Sequence, residues 1–314
     1  MSETAAHPRE SRTRRRPLDG VLLLDKPAGI TSHAAVQKAR LLYSAAKAGH
    51  TGTLDPLATG LLPVCLGEAT KFSRLLLEAT KTYHATIRLG LTTATGDLEG
   101  VVTSRAAVRV ERRDVERALQ GFIGESLQTP PMYSAIKHGG QPLYKLARAG
   151  KILPRTPRRV VISGLKLCGM EGEEFEISLT CSKGTYVRVL AEDIGRNLGC
   201  GACLSRLRRT AVGDFLLSTG AVTFEQLEPL TLKDREALLL PADALVAALP
   251  RVDLDAREAG RLKRGQPVEA GHAAARPAGL ARIYGPEHEF LGVAEVTAPG
   301  WIVPRRLKSQ VVAV

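Results

Sequence analysis

Cysteine, aromatic residues and long apolar runs are all scarce in this sequence, and each shortage argues against a class of protein. Five cysteines among 314 residues do not suit a disulfide scaffold. Cys200 and Cys203 form a C-x-x-C pair, but a structural zinc site needs two further ligands with similar spacing. A redox role for the pair is an alternative, although the sequence around it does not resemble that of thioredoxin-like proteins. Aromatic residues make up 4% of the chain, so a surface of many base-stacking rings is not expected.

Signals for membranes and secretion are missing as well. The longest apolar stretches, such as 238–240 and 244–249, are far too short to span a bilayer. The N-terminus lacks the apolar core of a secretory signal. We therefore expect a soluble, cytoplasmic protein with no membrane partner.

Motifs for nucleotides, metals and hydrolytic serines are also missing. No Walker A sequence and no G-x-G-x-x-G opens a helix, so a nucleotide cofactor has no phosphate cradle. No H-E-x-x-H or other histidine cluster offers a metal site. We predict an activity that needs neither cofactor nor metal.

Basic residues, in contrast, are abundant and clustered. The formal net charge is +12, and no Asp or Glu lies between residues 126 and 170. The cations of that stretch are Lys137, Lys145, Arg148, Lys151, Arg155, Arg158, Arg159 and Lys166. A second acid-free run contains Arg196, Arg206, Arg208 and Arg209. Such patches are typical of a protein that binds a polyanion, although charge alone leaves a merely solvated basic face equally open.

The pattern of apolar residues, Gly and Pro divides the chain into three parts. Residues 1–17 are polar and Arg-rich, which predicts a disordered tail; a transit peptide is the alternative. Residues 18–249 combine strands (20–27, 61–66, 81–89, 160–168 and 174–181) with helices (32–42, 69–77, 112–123 and 187–197). Residues 126–160 read as an exposed, basic, RNA-binding insertion. Residues 250–314 contain short strands with frequent Gly and Pro, which favours a small β-barrel.

One loop stands out chemically. Residues 49–60 read Gly-His-Thr-Gly-Thr-Leu-Asp-Pro-Leu-Ala-Thr-Gly, and such a density of Gly and Pro indicates special backbone dihedral angles. Asp55 lies at its centre, between Leu54 and Pro56. Without further information, an ordinary turn-forming aspartate is an equally natural interpretation.

Residues 49–62 closely resemble the signature of the bacterial tRNA pseudouridine synthase B family. Further segments of the family recur in its order: 25–27, 81–83, 132–135, 181–188 and 207–209. The segment 301–307 is similar to the close of the family's C-terminal PUA domain. The resemblance therefore covers about residues 18 to 307.

The resemblance implies both a fold and an activity. The fold would be α+β, with a catalytic domain on a long mixed, largely antiparallel sheet and a PUA barrel appended. The activity would be isomerisation of uridine to pseudouridine at position 55 in the T loop of tRNA, after the base is flipped out. A monomer that acts on the T-stem-loop is expected. Two alternatives are an RNA-binding or tRNA-chaperone protein with a vestigial site, and a relative that depends on guide RNA.

The resemblance also assigns roles to residues. Asp55 would be an ionised carboxylate in a closed pocket that attacks the sugar or supports a glycal-like route, and Arg188 would keep it charged as an ion-pair partner. Tyr83 would stack on the flipped uracil, with Tyr186 and Leu207 as pocket walls. The remaining candidates are His50 in the RNA loop, Lys26, Pro27 and Asp97 as architectural support, and Arg148 against phosphates. Without the resemblance, the simpler interpretation is that the two tyrosines are half-buried strand residues. His50 would then be a loop residue whose hydrogen bonds are satisfied within the protein.

Overall fold

The structure, a computed structural model, describes residues 15–269, 278–298 and 300–309. Most of the predicted tail therefore lies outside the described residues. The strands are β1 Gly20–Lys26, β2 Ala48–His50, β3 Thr59–Leu66, β4 Lys81–Leu89, β5 Leu91–Thr93, β6 Val102–Arg105, β7 Gly124–Gln128, β8 Lys137–His138, β9 Gln141–Pro142, β10 Arg158–Glu171, β11 Glu174–Cys181, β12 Ala202–Val212, β13 Phe215–Leu216, β14 Arg251–Asp253, β15 Val268–Glu269, β16 Gly279–Tyr284, β17 Phe290–Thr297 and β18 Trp301–Leu307.

The helices are short and lie mostly between strands. They are α1 Ser32–Leu42, α2 Ser73–Leu77, α3 Arg112–Gln120, α4 Leu143–Arg148, α5 Val187–Asn197, α6 Phe224–Leu227, α7 Leu232–Ala237 and α8 Ala256–Lys263. Two 3₁₀ helices span Gly67–Lys71 and Ala242–Val246. The predicted helix over 69–77 is therefore divided between a 3₁₀ turn and α2. Among the described helices, none combines the length and apolar character needed to cross a bilayer.

A large sheet organises the first part of the chain. Its strand order is β1-β3-β12-β4-β11-β10-β7, with β2 added to β3 and β13 to β12. Only the β3–β12 pairing in this sheet is parallel, which confirms the predicted mixed, largely antiparallel sheet. Residues 21–24 of β1 are all apolar, as suits a strand covered on both faces: Leu22 and Leu24 pack into one hydrophobic cluster, and Val21 and Leu23 into another.

A second sheet follows residue 250, with the order β14-β16-β17-β18-β15 and a hydrophobic core of its own. Helix α8, which the sequence pattern did not reveal, contributes Ala259 and Leu262 to that core. The two parts are in contact: the rings of Phe72 and Phe290 lie 5.1 Å apart, and the Tyr284 hydroxyl bonds to Asp243.

The second acid-free basic run is where the structure departs most from the sequence prediction. Residues 202–212 form β12, a central strand of the large sheet, and its side chains alternate between solvent and core. Arg206 and Arg208 are exposed, whereas Arg209 is 1% exposed. Both interpretations of this run, a polyanion-binding patch and a solvated basic face, imply an exposed side chain, and for Arg209 both are therefore wrong. Strand alternation, rather than charge, decides which cations of this run reach solvent.

The insertion over 126–160 is also more ordered than its composition suggests. Its two ends belong to β7 and β10 of the large sheet, and between them lie the β8–β9 hairpin and α4. Gln128, Met132, Ser134 and Leu143 are buried. The basic residues therefore extend from a base that is built into the core.

A glycine at the start of β3 allows the parallel pairing with β12. Gly60 has a φ of +101°, and a Cβ at this position would overlap the backbone of Arg209. Substitution Gly60→Ala is expected to lower the free energy of unfolding by about 2–4 kcal/mol, because it adds a clash to an unfavourable dihedral angle. Urea unfolding measures this effect.

The control is Gly199→Ala, where φ is +77° and open space surrounds the added Cβ. Only the dihedral penalty of about 1–2 kcal/mol applies there. Equal losses in the two variants would contradict the close approach of β3 and β12.

Candidate active site

The loop that carries Asp55 is fastened to the core on both sides of that residue. The Ser32 hydroxyl accepts a hydrogen bond from the Leu54 N–H (2.7 Å) and donates to the Leu54 carbonyl (2.9 Å). On the other side, the Pro56 carbonyl accepts from the Gly29 N–H at 2.9 Å. These contacts join the loop to the first turn of α1 and fix the direction of the Asp55 side chain.

Asp55 and Arg188 face each other. Arg188 Nε donates to Asp55 Oδ2 at 2.9 Å. Its Nη1 donates to the Thr95 carbonyl at 2.6 Å and its Nη2 to the Tyr133 carbonyl at 2.7 Å. The guanidinium is thus held by three acceptors from three separate segments of the chain.

Asp55 and Arg188 differ in how far their side chains are exposed to solvent. The Arg188 side chain is 5% exposed and the Asp55 side chain 38%. The sequence prediction of a carboxylate in a closed pocket is therefore wrong for this structure. The carboxylate is held from below by the guanidinium while its outer side is open, so a ligand can reach it.

A second carboxylate shares the guanidinium. Asp97 Oδ2 lies 3.5 Å from Arg188 Nε, and both side chains are 5% exposed. Asp97 Oδ1 accepts from the Thr95 hydroxyl and from the Glu99 N–H. Burial, followed by the charges of Asp97 and Asp55, raises the pKa of Glu99. Negative charge is therefore concentrated here, around one buried arginine.

Tyr83 and Leu207 lie on neighbouring strands of the large sheet. Tyr83 is on β4, paired with Arg209 of β12, and Leu207 is paired with Ala85. Both side chains are buried. Burial raises the pKa of Tyr83, the Arg209 charge opposes that rise, and the Asp55 charge adds to it. The hydroxyl is therefore protonated at neutral pH and lies within the electrostatic reach of Asp55.

Tyr186 directly precedes helix α5, two residues before Arg188, and is held by a residue that sequence reasoning missed. The Gln128 side chain accepts from the Tyr186 N–H at 2.7 Å and donates to the Tyr186 carbonyl at 3.2 Å. Gln128 is buried at the end of β7. The sequence feature that could have drawn attention to Gln128 is its position directly before a Pro-rich stretch. The base of the insertion is thus attached directly to the helix that carries Arg188.

Lys26 is fully buried beneath the loop. Its ammonium group donates to the Pro27 carbonyl at 2.7 Å and the Ile30 carbonyl at 2.8 Å. Burial lowers the pKa of Lys26 to about 8, and the Asp55 charge opposes this shift. Lys26 therefore stabilises the 27–30 turn, and its positive charge interacts with that of Asp55.

His50 ends β2 and is half-buried. Its Nδ1 accepts a hydrogen bond from the Gly52 N–H at 3.1 Å. Burial, with smaller contributions from the charges of Arg209 and His33, lowers the pKa of His50 below 6.5. The imidazole is consequently neutral at pH 7.

The depressed pKa predicts a pH-dependent stability. In the unfolded chain His50 binds a proton near pH 6.5, whereas in the folded chain it binds one only at lower pH. Relative to His50→Gln, the wild type should lose unfolding free energy as the pH falls from 7.5 to 5.5, by at most about 1.4 kcal/mol per pH unit. Urea unfolding of both proteins at the two pH values measures this, and the other histidines cancel in the comparison. Parallel pH profiles would contradict it.

Arg148 is a predicted site residue that the structure does not place beside Asp55 and Arg188. It ends α4, and its guanidinium lies 5.6 Å from the centre of the Tyr144 ring. The hydrogen bonds and ion pairs of Asp55 and Arg188 among the described residues do not include it. A cavity of about 710 Å³ separates the insertion from α5, with Met132 and Tyr133 on one side and Val189 and Glu192 on the other.

The arrangement supports chemistry by a single reactive carboxylate. The Asp55 carboxylate is open on one side and interacts electrostatically with buried Tyr83, which suits attack on a group that reacts with a nucleophile. No group of three or more His, Cys, Asp or Glu in the described part of the chain is placed to hold a metal ion. Cys200 and Cys203 are buried and free.

Family models match most of the chain. Residues 40–187 match the N-terminal domain of the TruB family of pseudouridylate synthases. Residues 188–247 match the tRNA pseudouridylate synthase B C-terminal domain. Residues 250–307 match the model described as pseudouridine synthase II TruB, C-terminal.

Curated relatives are similar over nearly their whole length. The tRNA pseudouridine synthase B of Aromatoleum aromaticum is 54% identical, over 96% of this chain and 97% of its own. That of Methylobacillus flagellatus is 52% identical, over 94% and 97%. Among solved structures, a chain from a Cbf5-Nop10-Gar1 complex has a TM-score of 0.68 and 26% identity, over 90% of this chain and 79% of that one.

Proposed function

Because the chain belongs to the TruB family of pseudouridylate synthases, and so is an enzyme that forms pseudouridine in tRNA, we propose that it acts on the T-loop uridine at position 55 with Asp55 as its reactive group. The observation that carries this proposal is the contact between Asp55 and Arg188. A carboxylate that is anchored by a guanidinium and open on its other side suits attack at a sugar carbon.

The target base must first leave the RNA stack, at a cost of a few kcal/mol. Asp55 Oδ2 is occupied by Arg188, so Oδ1 is the atom that we propose faces the ribose. In the nucleophilic route, an Oδ1–C1′ bond forms as the C1′–N1 bond breaks, and the electron pair leaves with the uracil. The uracil turns, its C5 bonds to C1′, and the Asp55 ester bond breaks. C5 then loses a proton and N1 gains one, so the product is an isomer of the substrate.

A glycal route uses the same groups differently. After the C1′–N1 bond breaks, the Asp55 carboxylate removes a proton from C2′ to leave a glycal, and that proton returns to C2′ once the carbon–carbon bond has formed. Burial raises the pKa of Tyr83 and keeps its hydroxyl protonated, so Tyr83 assists this transfer as a hydrogen-bond donor and not as the base. Both routes require the carboxylate of Asp55.

We assign the surrounding residues to binding and support. Tyr83 would stack on the uracil, with Leu207 and Tyr186 as walls. Neutral His50 would fill the space that the flipped nucleotide leaves, which costs less desolvation than a charged imidazole would. Lys26 would support the loop through the Pro27 and Ile30 carbonyls.

The basic insertion is proposed to lie against the RNA backbone, with Arg148 among its phosphate contacts. If the protein neutralises Z phosphates, the logarithm of the binding constant should fall with the logarithm of salt concentration at a slope of about −0.7Z to −0.9Z. The domain assignment, 18–249 for catalysis and 250–314 for RNA binding, and a monomer that acts in the cytoplasm belong to the same proposal.

The test uses an isolated T-stem-loop and the purified chain without other proteins. Tritium release from a stem-loop labelled at uridine C5, with site mapping after selective chemical derivatisation of pseudouridine, should find the product at position 55 and at no other uridine of the stem-loop. A stem-loop with cytidine at that position is the matched control. Pseudouridine at a different position would contradict the assigned specificity, and a need for accessory proteins would favour a guide-dependent enzyme.

A further inference from the structure

Arg209 is a cation in the core of the large sheet without an acidic partner. It is 1% exposed, and within the described part of the chain no carboxylate oxygen lies within ion-pair distance of its guanidinium. A buried charge is costly unless hydrogen bonds satisfy it. The buried charge of Arg209 must therefore be stabilised by hydrogen-bond partners.

Those partners are backbone carbonyls on both sides of the reactive loop. Arg209 Nε donates to the Leu61 carbonyl at 2.8 Å, just after the loop. Its Nη2 and Nη1 donate to the Gly52 carbonyl at 3.1 Å and the Thr53 carbonyl at 3.5 Å, just before Asp55. One rigid, planar group thus holds both ends of the segment that carries Asp55.

The backbone of Arg209 joins the same loop to Tyr83. Arg209 is the register partner of Tyr83 on β4 and of Gly60 on β3. The absence of a side chain at Gly60 allows the two backbones to approach closely. Arg209 therefore joins the Asp55 loop to the strand that carries Tyr83.

The charge of Arg209 also acts on its surroundings. It contributes to the lowered pKa values of His50, Lys26 and Lys81, and it opposes the rise that burial causes at Tyr83. Each of these effects favours a less positive or more anionic neighbour. Arg209 thus adds permanent positive charge behind the tyrosine.

We infer that Arg209 is a positioning residue for the reaction: its guanidinium holds the backbone at residues 52 and 53, and with it Asp55, at a fixed distance from Tyr83. It acts through Asp55 and Tyr83 rather than on the RNA, which its burial prevents it from reaching. The inference rests on the proposed role of Asp55.

The experiment compares kcat and KM on a T-stem-loop. Arg209→Met should lower kcat about 100-fold, the scale expected when a reactive group is misplaced by about 1 Å, while KM stays within about twofold. Arg209→Lys keeps the charge and part of the bonding, and should lower kcat only about tenfold. Arg206→Met, three residues away on the same strand but exposed, should instead act on KM.

To correct for misfolded protein, the fraction of each variant that binds RNA is measured. The kcat is then calculated per molecule that is able to bind. If Arg209→Met does not fold, Arg209→Lys alone decides, with an expected loss of about tenfold in kcat. A kcat within twofold of wild type in the folded variant, or a loss confined to KM, would overturn the inference. Asp55→Asn is assayed in parallel. If that variant is fully active, the proposed role of Asp55 is wrong. If Asp55→Asn is inactive but the Arg209 variants have wild-type kcat, only the inference about Arg209 is wrong.

Discussion

Asp55→Asn is expected to lower the rate of pseudouridine formation by on the order of 10⁴-fold or more, the scale at which an essential carboxylate or nucleophile is lost. The amide has the shape of the carboxylate, and its oxygen can still accept from Arg188 Nε, as Asp55 Oδ2 does at 2.9 Å. It carries no negative charge, so it can neither bond to C1′ nor stabilise positive charge on the sugar. Tritium release from a T-stem-loop labelled at uridine C5 measures the product.

RNA binding separates loss of chemistry from loss of the substrate. We expect the Kd of Asp55→Asn for the T-stem-loop to stay within about threefold of wild type, because phosphate contacts supply most of the affinity. The matched control is Asp234→Asn, an exposed aspartate at the start of α7 that bonds to the Thr231 hydroxyl. Its rate should equal that of the wild type. A tenfold loss of binding in Asp55→Asn would point to a binding role instead.

Arg188→Met is expected to lower the rate by about 10³-fold, the scale found when an electrostatic partner is removed from a reactive site. Methionine fills much of the same volume but leaves the Thr95 and Tyr133 carbonyls without their donor. It also leaves buried Asp97 without the cation 3.5 Å away. Breaking such a buried pair costs about 3–5 kcal/mol of unfolding free energy. Single-turnover rates and urea unfolding measure the two effects.

Arg188→Lys should not restore the rate, because one ammonium group cannot reach three acceptors that lie in three directions. The control for both variants is Arg196→Met, two turns along the same helix, where the side chain is 75% exposed and bonds to Asp193. It should keep the wild-type stability within about 0.5 kcal/mol. A lysine variant with wild-type rate would show that charge alone, rather than the forked geometry, is required.

The regular elements were predictable because local patterns decide them. Alternation over 81–89 predicted β4, and the apolar spacing over 187–197 predicted α5, both with the observed bounds. Thr31 caps α1 through the Ala34 N–H, as a hydroxyl before an apolar helix suggests. The resemblance of residues 49–62 then identified the loop that the structure places opposite Arg188.

What could not be predicted depends on contacts between distant segments. Strand β12 was hidden because basic residues occupy both its solvent-facing and its core-facing positions, so that Arg209 resembled a surface cation. The two carbonyls that hold Arg188 carry no sequence signal, since every residue has a carbonyl. The openness of Asp55 depends on where the insertion lies relative to α5, which local patterns do not encode.

The most direct test of the account is the amount of pseudouridine formed in one T-stem-loop when enzyme is in excess over RNA and above its Kd. Under these conditions every RNA molecule is bound, so weaker affinity cannot lower the yield. Wild-type protein should convert the RNA in a single turnover, whereas Asp55→Asn should leave uridine unchanged after a time longer by about 10⁴-fold. Conversion by the asparagine variant at a rate near that of the wild type would contradict the assignment of the chemistry to Asp55.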